Sequence, residues 1–238
     1  MALWYQKKIM AYDHGLFVRS VFRTLKSKRI LEIGPGRGDF LKWAQDRGAL
    51  VKGWERAPQA VRFLINRGLA AESVVLEDTQ NWPDPEDPWD LIIGFHVLEH
   101  LVDPTEVVAA LLSRMAANGI LIFQLPRADS YQARIFGKHW FGLEVPRHVS
   151  IPTYLGIERW RTNLNLDKIG EKHFSLRDNA SAMLLSLFSS LEPNRQDNCG
   201  LNLLGYFFGV WLFQPLAWVE AKMAKGGTIM LALRLKKY

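Results

Sequence analysis

Arg29-Ile30-Leu31-Glu32-Ile33-Gly34-Pro35-Gly36-Arg37-Gly38-Asp39-Phe40 joins a short apolar run to a cluster of three glycines. Ile30 to Ile33 predict a buried strand, and the spacing of Leu41, Trp43 and Ala44 predicts a helix after the glycines. A strand, a tight turn and a helix N-terminus together make a nucleotide-type site. The glycines let the main chain turn sharply and let a ligand approach it closely. The dinucleotide fingerprint Gly-x-Gly-x-x-Gly is not met. The spacing is Gly34-x-Gly36-x-Gly38, and Glu32 lies two residues before the first glycine. A carboxylate at that strand end repels a pyrophosphate and suits a cationic or amine-bearing ligand.

The pattern Glu-x-Gly-x-Gly-x-Gly resembles the first motif of the class I S-adenosylmethionine-dependent methyltransferases. The resemblance implies that Glu32 reaches the amino group of the methionine moiety, directly or through water, while Gly34, Pro35, Gly36 and Gly38 pass under the ligand. Working outward, Leu50 to Glu55 predicts a second strand ending in an acid. Ligand-binding groups gather at the carboxyl ends of strands in a doubly wound sheet. Glu55 is therefore expected at the ribose hydroxyls, with Arg56 beside it. Pro58 opens a helix that runs from Gln59 to Asn66 and stops at Gly68. Ser73 to Thr79 predicts the third strand and its end. There Asp78 resembles the acid that takes the adenine amino group, and Thr79 offers backbone groups to the ring.

Trp89 to Phe95 predicts a central fourth strand, and His96-Val97-Leu98-Glu99-His100-Leu101-Val102-Asp103-Pro104 follows it. This run resembles the fourth motif of the methyltransferase families that include the ubiquinone-pathway enzymes and a large bacterial group of unassigned members. The resemblance puts Phe95 and His96 beside the sulfonium and the methyl acceptor. The same letters spell His-x-x-Glu-His, a zinc-peptidase pattern, but that pattern needs one helix and a further carboxylate ligand. Here the first histidine directly follows an apolar strand, which excludes the peptidase reading. Some related O-methyltransferases hold a divalent ion with Glu-x-x-Glu-His and a distant histidine. The alternative metal set here is His96, Glu99, His100 and His148. It departs at the first ligand, and the Glu-to-His change alters the charge balance, so no metal is expected.

Asp103 and Pro104 predict an N-cap and first turn for a helix over Thr105 to Ala117, closed by Asn118-Gly119. Ile120 to Pro126 predicts the fifth strand. The segment Asp129 to His148 resembles its counterpart in the same bacterial group, and its aromatics, Arg147 and His148 are candidates to line the acceptor site. His148 and His96 are the candidate catalytic residues, with His148 as general base. Tyr154 to Asn163 predicts a helix, Leu164 to Glu171 the sixth strand, and Gly227 to Leu235 an antiparallel seventh.

Residues 1–28 predict an amphipathic helical cover, interrupted at Tyr12-Asp13-His14-Gly15. Tyr12 and His14 are placed either near the pocket or against the sheet edge. Between the sixth and seventh strands lies an insert with two apolar stretches, Asn179 to Leu191 and Asn198 to Val219; the second carries no charge. Its length approaches the ~20 residues that cross a bilayer. A span would put the sixth and seventh strands on opposite sides of the membrane, so the insert reads as a helical cap, a homodimer surface or a peripheral membrane contact.

The 238 residues suit one α/β domain with additions, and 48% hydrophobic with 23% charged residues is ordinary for a globular core. The net charge of +6 is scattered, no nucleic-acid motif accompanies it, and no nucleic-acid partner is expected. Cys199 is the one cysteine, which excludes an internal disulfide and suits the cytoplasm. The expected fold is a Rossmann-like, seven-stranded, doubly wound α/β sheet flanked by helices, its last strand antiparallel. The divisions are 1–28 as cover, 29–171 as cofactor-binding core, 172–226 as apolar insert and 227–235 as final strand. The resemblance implies an enzyme that uses S-adenosylmethionine to methylate a small-molecule or lipid-like acceptor, by expectation at oxygen. The alternative is a non-catalytic, membrane-associated S-adenosylmethionine-binding partner protein.

Overall fold

The computed structural model describes residues 2–85, 87–193 and 200–236, with side chains from residue 11 in the first segment and from residue 203 in the last. Cys199 and Asn198 lie outside the described residues. The sheet has seven strands: β1 (Arg29–Ile33), β2 (Leu50–Glu55), β3 (Ala71–Ser73), β4 (Trp89–Phe95), β5 (Met115–Pro126), β6 (Leu166–Lys172) and β7 (Thr228–Leu235). Their order is β3-β2-β1-β4-β5-β7-β6. β7 runs antiparallel to both β5 and β6, and the other pairs are parallel.

The alternation along the central strands explains the two helical layers. Leu31, Ile33, Ile92, Leu121, Phe123 and Leu231 face one core, while Ile30, Leu91, Ile93, Ile122 and Ala232 face the other. A sheet apolar on both faces must be covered on both. The first core is closed by α4 (Pro104–Leu112) and α6 (Tyr154–Asn163), through Val107, Val108, Leu111 and Ile157. The second is closed by α1 (Ala2–Val21) and α2 (Asp39–Gln45), through Phe17, Val18, Phe40 and Ala44. α3 (Pro58–Asn66) packs Leu64 against Leu41 and Leu69.

Four expectations are corrected. The helix over Thr105 to Ala117 ends at Leu112, and the strand already begins at Met115. Met115 pairs with Trp89, but Ile120 pairs with Leu91. Residues 116–119 are thus an excursion inside the strand, and Asn118-Gly119 is its bulge rather than a helix stop. The third strand covers Ala71 to Ser73, not Ser73 to Thr79, because its partner β2 ends at Glu55, opposite Ser73. Beyond that point the backbone has no ladder to join, and Asp78 instead precedes a short 3-10 turn. The sixth strand is shifted to Leu166–Lys172, since Asn165 adopts a left-handed φ of 54° after α6. Finally, Tyr12 to Gly15 does not interrupt α1. Asp13 is buried against Lys172 at 2.6 Å, the His14 ring stacks on Phe95 at 3.7 Å, and Gly15 sits so close to Trp43 that a Cβ would lie 2.3 Å from the indole.

The insert forms α7 (Asp178–Leu187) and α8 (Gly200–Lys222), which pack on each other through Leu184, Leu185, Tyr206, Val210 and Phe213. α5 (Tyr131–Phe136) follows β5. One buried cation holds this end of the molecule together. Arg127, at the end of β5, donates to both Asp129 oxygens at 3.0 Å and to the Ala224 carbonyl after α8 at 2.7 Å, and it faces the Tyr154 ring at 5.0 Å. Removing one partner of a buried charged pair leaves the other uncompensated. Arg127→Leu is expected to cost roughly 3–5 kcal/mol, read as a lowered Tm; a Tm within error of wild type would show that this node does not hold α8 to the sheet.

Candidate functional site

Two cavities meet at the carboxyl end of β1 and β4. The first, of about 260 Å³, is lined by Ala11 and His14 of α1, Glu32, the Gly34–Arg37 turn, Asp39, Phe40, Phe95 and Arg177. The second, of about 390 Å³, is lined by Phe95, His96, His100, Trp140, Phe141, Arg147, His148, Arg177 and Asp178, among others. Phe95 and Arg177 belong to both walls. The arrangement is a ligand crevice at the β1/β4 switch point, where α2 leaves toward one face of the sheet and α4 toward the other.

In the first cavity, Gly34 has φ 60° and Gly36 φ 53°, a region that favours glycine. A Cβ on Gly34 would strike Val97, whereas one on Gly36 would point into open space. Glu32 is 5% exposed and its Oε2 has no hydrogen-bond partner. Burial pushes its carboxyl well above the usual range, and nearby Asp39 pushes the same way, against one backbone N–H from Leu41. This is a buried acid without a counter-charge, the arrangement a cationic ligand would complete. His14 lies against the same cavity, and burial lowers it to about 3, so its ring stacks on Phe95 in the neutral form.

Glu55 stands at the end of β2 and accepts from Gly36 N–H at 3.3 Å and Arg56 N–H at 2.9 Å, so it touches the glycine turn. Gly38 caps α2 behind the turn. Arg56 points outward, 3.8 Å from Glu77. Asp78 and Thr79 are not brought to the cavity: Asp78 takes both bonds from Asn81 Nδ2 at 3.0 Å, and the Thr79 hydroxyl donates to Glu106 at 3.0 Å. Of the two α1 candidates, His14 lines the cavity and Tyr12 is exposed.

The second cavity has a charged floor. His96 adopts φ 56° at the end of β4 and directs Nδ1 to Glu99 Oε1 at 3.0 Å and Nε2 toward Asp178 Oδ2 at 3.4 Å. Asp178 also accepts from Gln124 Nε2 at 2.6 Å and Ser175 Oγ at 2.8 Å. Burial opposes an imidazolium here, but the bonds and charges of Asp178 and Glu99 prevail and raise His96 to about 10. Its side chain is still 32% open to the cleft, so the two carboxylates rather than burial set the direction. The Gln124 amide, 2.8 Å from His96 Nε2, is the contact that favours the neutral ring. For Asp178, burial is outweighed by the Arg177 charge and the His96 bond, which hold the carboxyl far below its ordinary value.

His148 is placed differently. Its Nδ1 donates to the Gly142 carbonyl at 2.8 Å, which fixes the tautomer and leaves Nε2 facing Glu144 at 3.3 Å and Glu99 at 3.9 Å. His100 likewise donates Nδ1–H to the Arg147 carbonyl at 2.9 Å. Ligand atoms of Glu99, His100 and His148 lie within 4.8 Å of one another, and Glu99 Oε2 is buried without a partner. His96 contacts this trio only through its bond to Glu99 Oε1 and is not one of the clustered ligands, so the four-residue set expected from the sequence divides three to one.

Sequence reasoning missed Gln124, Arg177 and Asp178. Gln124 was one polar letter in an apolar strand, and Arg177-Asp178 preceded an uncharged helix as an ordinary polar start. No spacing rule links them to His96.

The chain matches the family described as "Methyltransferase domain" over residues 9–170. It belongs to that family, and its fold is that of the class I S-adenosylmethionine-dependent methyltransferases. An uncharacterized methyltransferase, YrrT of Bacillus subtilis (strain 168), is 30% identical over 100 residues, which is 42% of this chain and 45% of that relative. The chain thus matches less than half the length of this curated relative. A Thermotoga maritima S-adenosylmethionine-dependent methyltransferase, described as a possible histamine N-methyltransferase, superposes with a TM-score of 0.62 at 12% identity, over 98% of this chain and 92% of that one. The [4+2]-cyclase SpnF superposes at 0.60 and 16% identity, over 93% and 79%. These likenesses concern the fold.

The charge cluster makes a checkable prediction. A folded-state value above the ordinary 6.5 means that His96 contributes stability fully below about pH 6.5 and loses it as pH rises through about 10. Imidazole NMR should place the His96 midpoint well above 6.5 and show it falling in Asp178→Asn; an unchanged midpoint in that variant would detach Asp178 from the ring.

Proposed function

We propose that the protein transfers a methyl group from S-adenosylmethionine to a hydroxyl of a small-molecule or lipid-like acceptor. The observation that carries this reading is the joined pair of cavities, one at the glycine turn with an unpartnered buried acid, the other with a histidine of fixed tautomer. S-adenosylmethionine supplies an electrophilic methyl on a sulfonium sulfur, which an acceptor oxygen takes by direct displacement. Glu32 supplies the counter-charge for the ligand's amino group, and the space before Gly36 admits the ligand to the main chain. Glu55 is within reach of the turn to exchange its backbone bonds for ribose hydroxyls. Phe95 and Arg177 form the shared wall and hold the two ligands in line.

His148 is the group suited to accept the acceptor's proton. Nδ1–H is committed to Gly142, so Nε2 receives the proton, and Glu144 and Glu99 then face the imidazolium. His96 is suited to the opposite task. Held cationic by Asp178 and Glu99, with both ring nitrogens engaged, it supplies a fixed positive charge that orients an acceptor oxygen electrostatically.

The same cluster favours a second reading. Glu99, His100 and His148 offer a carboxylate and two ring nitrogens whose other nitrogens are fixed by carbonyls, which is how metal-binding histidines are oriented. In that case a divalent ion would occupy His148 Nε2, and proton removal would fall to the ion's surroundings. A zinc or magnesium titration of the protein separates the two. Saturable binding lost in His100→Ala supports the ion; heat of dilution alone supports the free base.

For the main reading, titration calorimetry with S-adenosylmethionine and S-adenosylhomocysteine is the direct test. Gly36→Val, whose Cβ enters the open space before the turn, should lose at least about 100-fold in affinity, and because φ 53° strains a side chain by roughly 1–2 kcal/mol its Tm should also fall modestly. His148→Ala should keep wild-type affinity and lose about 10²- to 10⁴-fold in turnover once an acceptor is found. Wild-type affinity in Gly36→Val would refute the placement of the ligand.

A further inference from the structure

The outer face of α8 is apolar along its whole described length. Leu204, Phe208, Trp211, Leu212, Leu216, Trp218, Val219 and Met223 are all 48–71% exposed. They recur at helical spacing on one side, while Tyr206, Ala217 and Glu220 point into the protein. Together the eight side chains present on the order of 1,000 Å² of apolar surface, beyond the ~300–600 Å² of the largest patch on an ordinary monomer. Leu187 and Phe188, at the end of the packed neighbour α7, are also about half exposed.

The chemistry of this face selects its occupant. The polar side chains of α8 turn inward: Tyr206 is buried, Gln214 donates to the Leu176 carbonyl at 2.7 Å, and Glu220 accepts from Gln132 at 2.9 Å. Apart from two indoles, Lys222 is the polar side chain left on the outer face among the described residues, its ammonium 5.3 Å from the Trp218 ring. Protein interfaces of this size carry about one hydrogen bond per 100–200 Å² and a polar rim. This face can make almost none. A bilayer asks for none, and a helix lying in the interface plane places tryptophans and snorkelling lysines at the headgroups. Charge points the same way: two copies, each at +6, repel, whereas an anionic lipid surface attracts. Among the described residues no helix is long and apolar enough to cross a membrane.

We propose that α8 seats the protein on an anionic bilayer surface, the helix lying in the plane of the headgroups with Phe208, Trp211, Leu212 and Leu216 in the acyl boundary. The docking does not depend on methyl transfer. It does have a geometric consequence for it. α7, which packs against α8, supplies Asp178, Ser181 and Ala182 to the acceptor cavity. The docked helix therefore stands one helix away from that cleft.

The test is co-sedimentation of the full chain with vesicles of phosphatidylcholine alone and of phosphatidylcholine mixed with phosphatidylglycerol. The protein should pellet with the mixed vesicles and release as salt is raised. Phe208→Ser combined with Trp211→Ser should weaken partitioning about tenfold or more, with S-adenosylhomocysteine binding as the check that the fold survives. Unchanged partitioning in this variant, or no pelleting of wild type with either vesicle, overturns the proposal. So does a dimer, seen by analytical ultracentrifugation and abolished by the same substitutions, in a protein that ignores vesicles. Equal pelleting with both vesicle types would overturn the anionic preference. S-adenosylhomocysteine binding without vesicle binding would sink the docking alone; the reverse would sink the cofactor reading alone.

Discussion

The site depends on the divergence of two neighbouring parallel strands. β1 and β4 are paired from Ile30↔Leu91 to Ile33↔Gly94, yet the helices that follow them cover opposite faces of the sheet. That geometry forces a gap at the strand ends, because no connection crosses it. Three residues of the site hang on the rim of that gap. Glu32 sits one residue before the end of β1, Phe95 ends β4, and His96 turns back through a left-handed φ immediately beyond it. Gly94 shows how tightly the frame is set, since a Cβ there would press on Ile33 at 2.9 Å. The strands cannot separate or slide without moving the acid and the histidine together.

The frame was legible because its signals are local and periodic. Two-sided apolar strands, the Gly34–Gly38 turn, the Asp103-Pro104 cap and the terminal antiparallel strand each announce themselves within a few residues. Where the sequence misled, a local signal had been overruled by a partner elsewhere. Asn118-Gly119 reads as a helix stop but forms a bulge, because Met115 is already paired with Trp89. Tyr12 to Gly15 reads as a helix break, but the polar letters are the contact face of α1. Half of the site was legible for the same reason. Glu32, the glycine turn and Phe95 belong to one strand-turn-helix unit and its neighbour. The second cavity draws on β4, β5, the segment around Trp140 to His148 and the start of α7, and no periodicity joins those four.

The insert is the part whose two faces do different things. Its inner edge delivers Arg177 to the shared wall and Asp178 to His96, so it completes the second cavity rather than merely roofing it. Glu220, on the inward side of α8, is raised to about 7 by burial, with Gln132 bonds opposing, and it helps lock the helix to α5. The outer edge meets no protein among the described residues. Lys222 apart, the polar side chains of α8 turn inward, the pattern that the proposed bilayer surface, which needs no hydrogen bonds, would suit.

The two titratable centres of the site are tuned in opposite senses, and that opposition is its chemical logic. Glu32 is buried with an unpartnered oxygen and disfavoured as a carboxylate; His96 is flanked by two carboxylates and favoured as a cation. Burial without a counter-charge disfavours the ionised form of Glu32 in the first cavity. A ligand that brings an amine would supply that counter-charge, and by linkage its binding would stabilise the fold. The second cavity needs no such addition, since its charges already compensate one another. Ligand binding should thus be felt mainly in the first cavity, while the second stays preorganised around whatever acceptor group it receives. This asymmetry explains why the residues identify the methyl donor's class more readily than the acceptor: an uncompensated charge names its partner, whereas a balanced cluster does not.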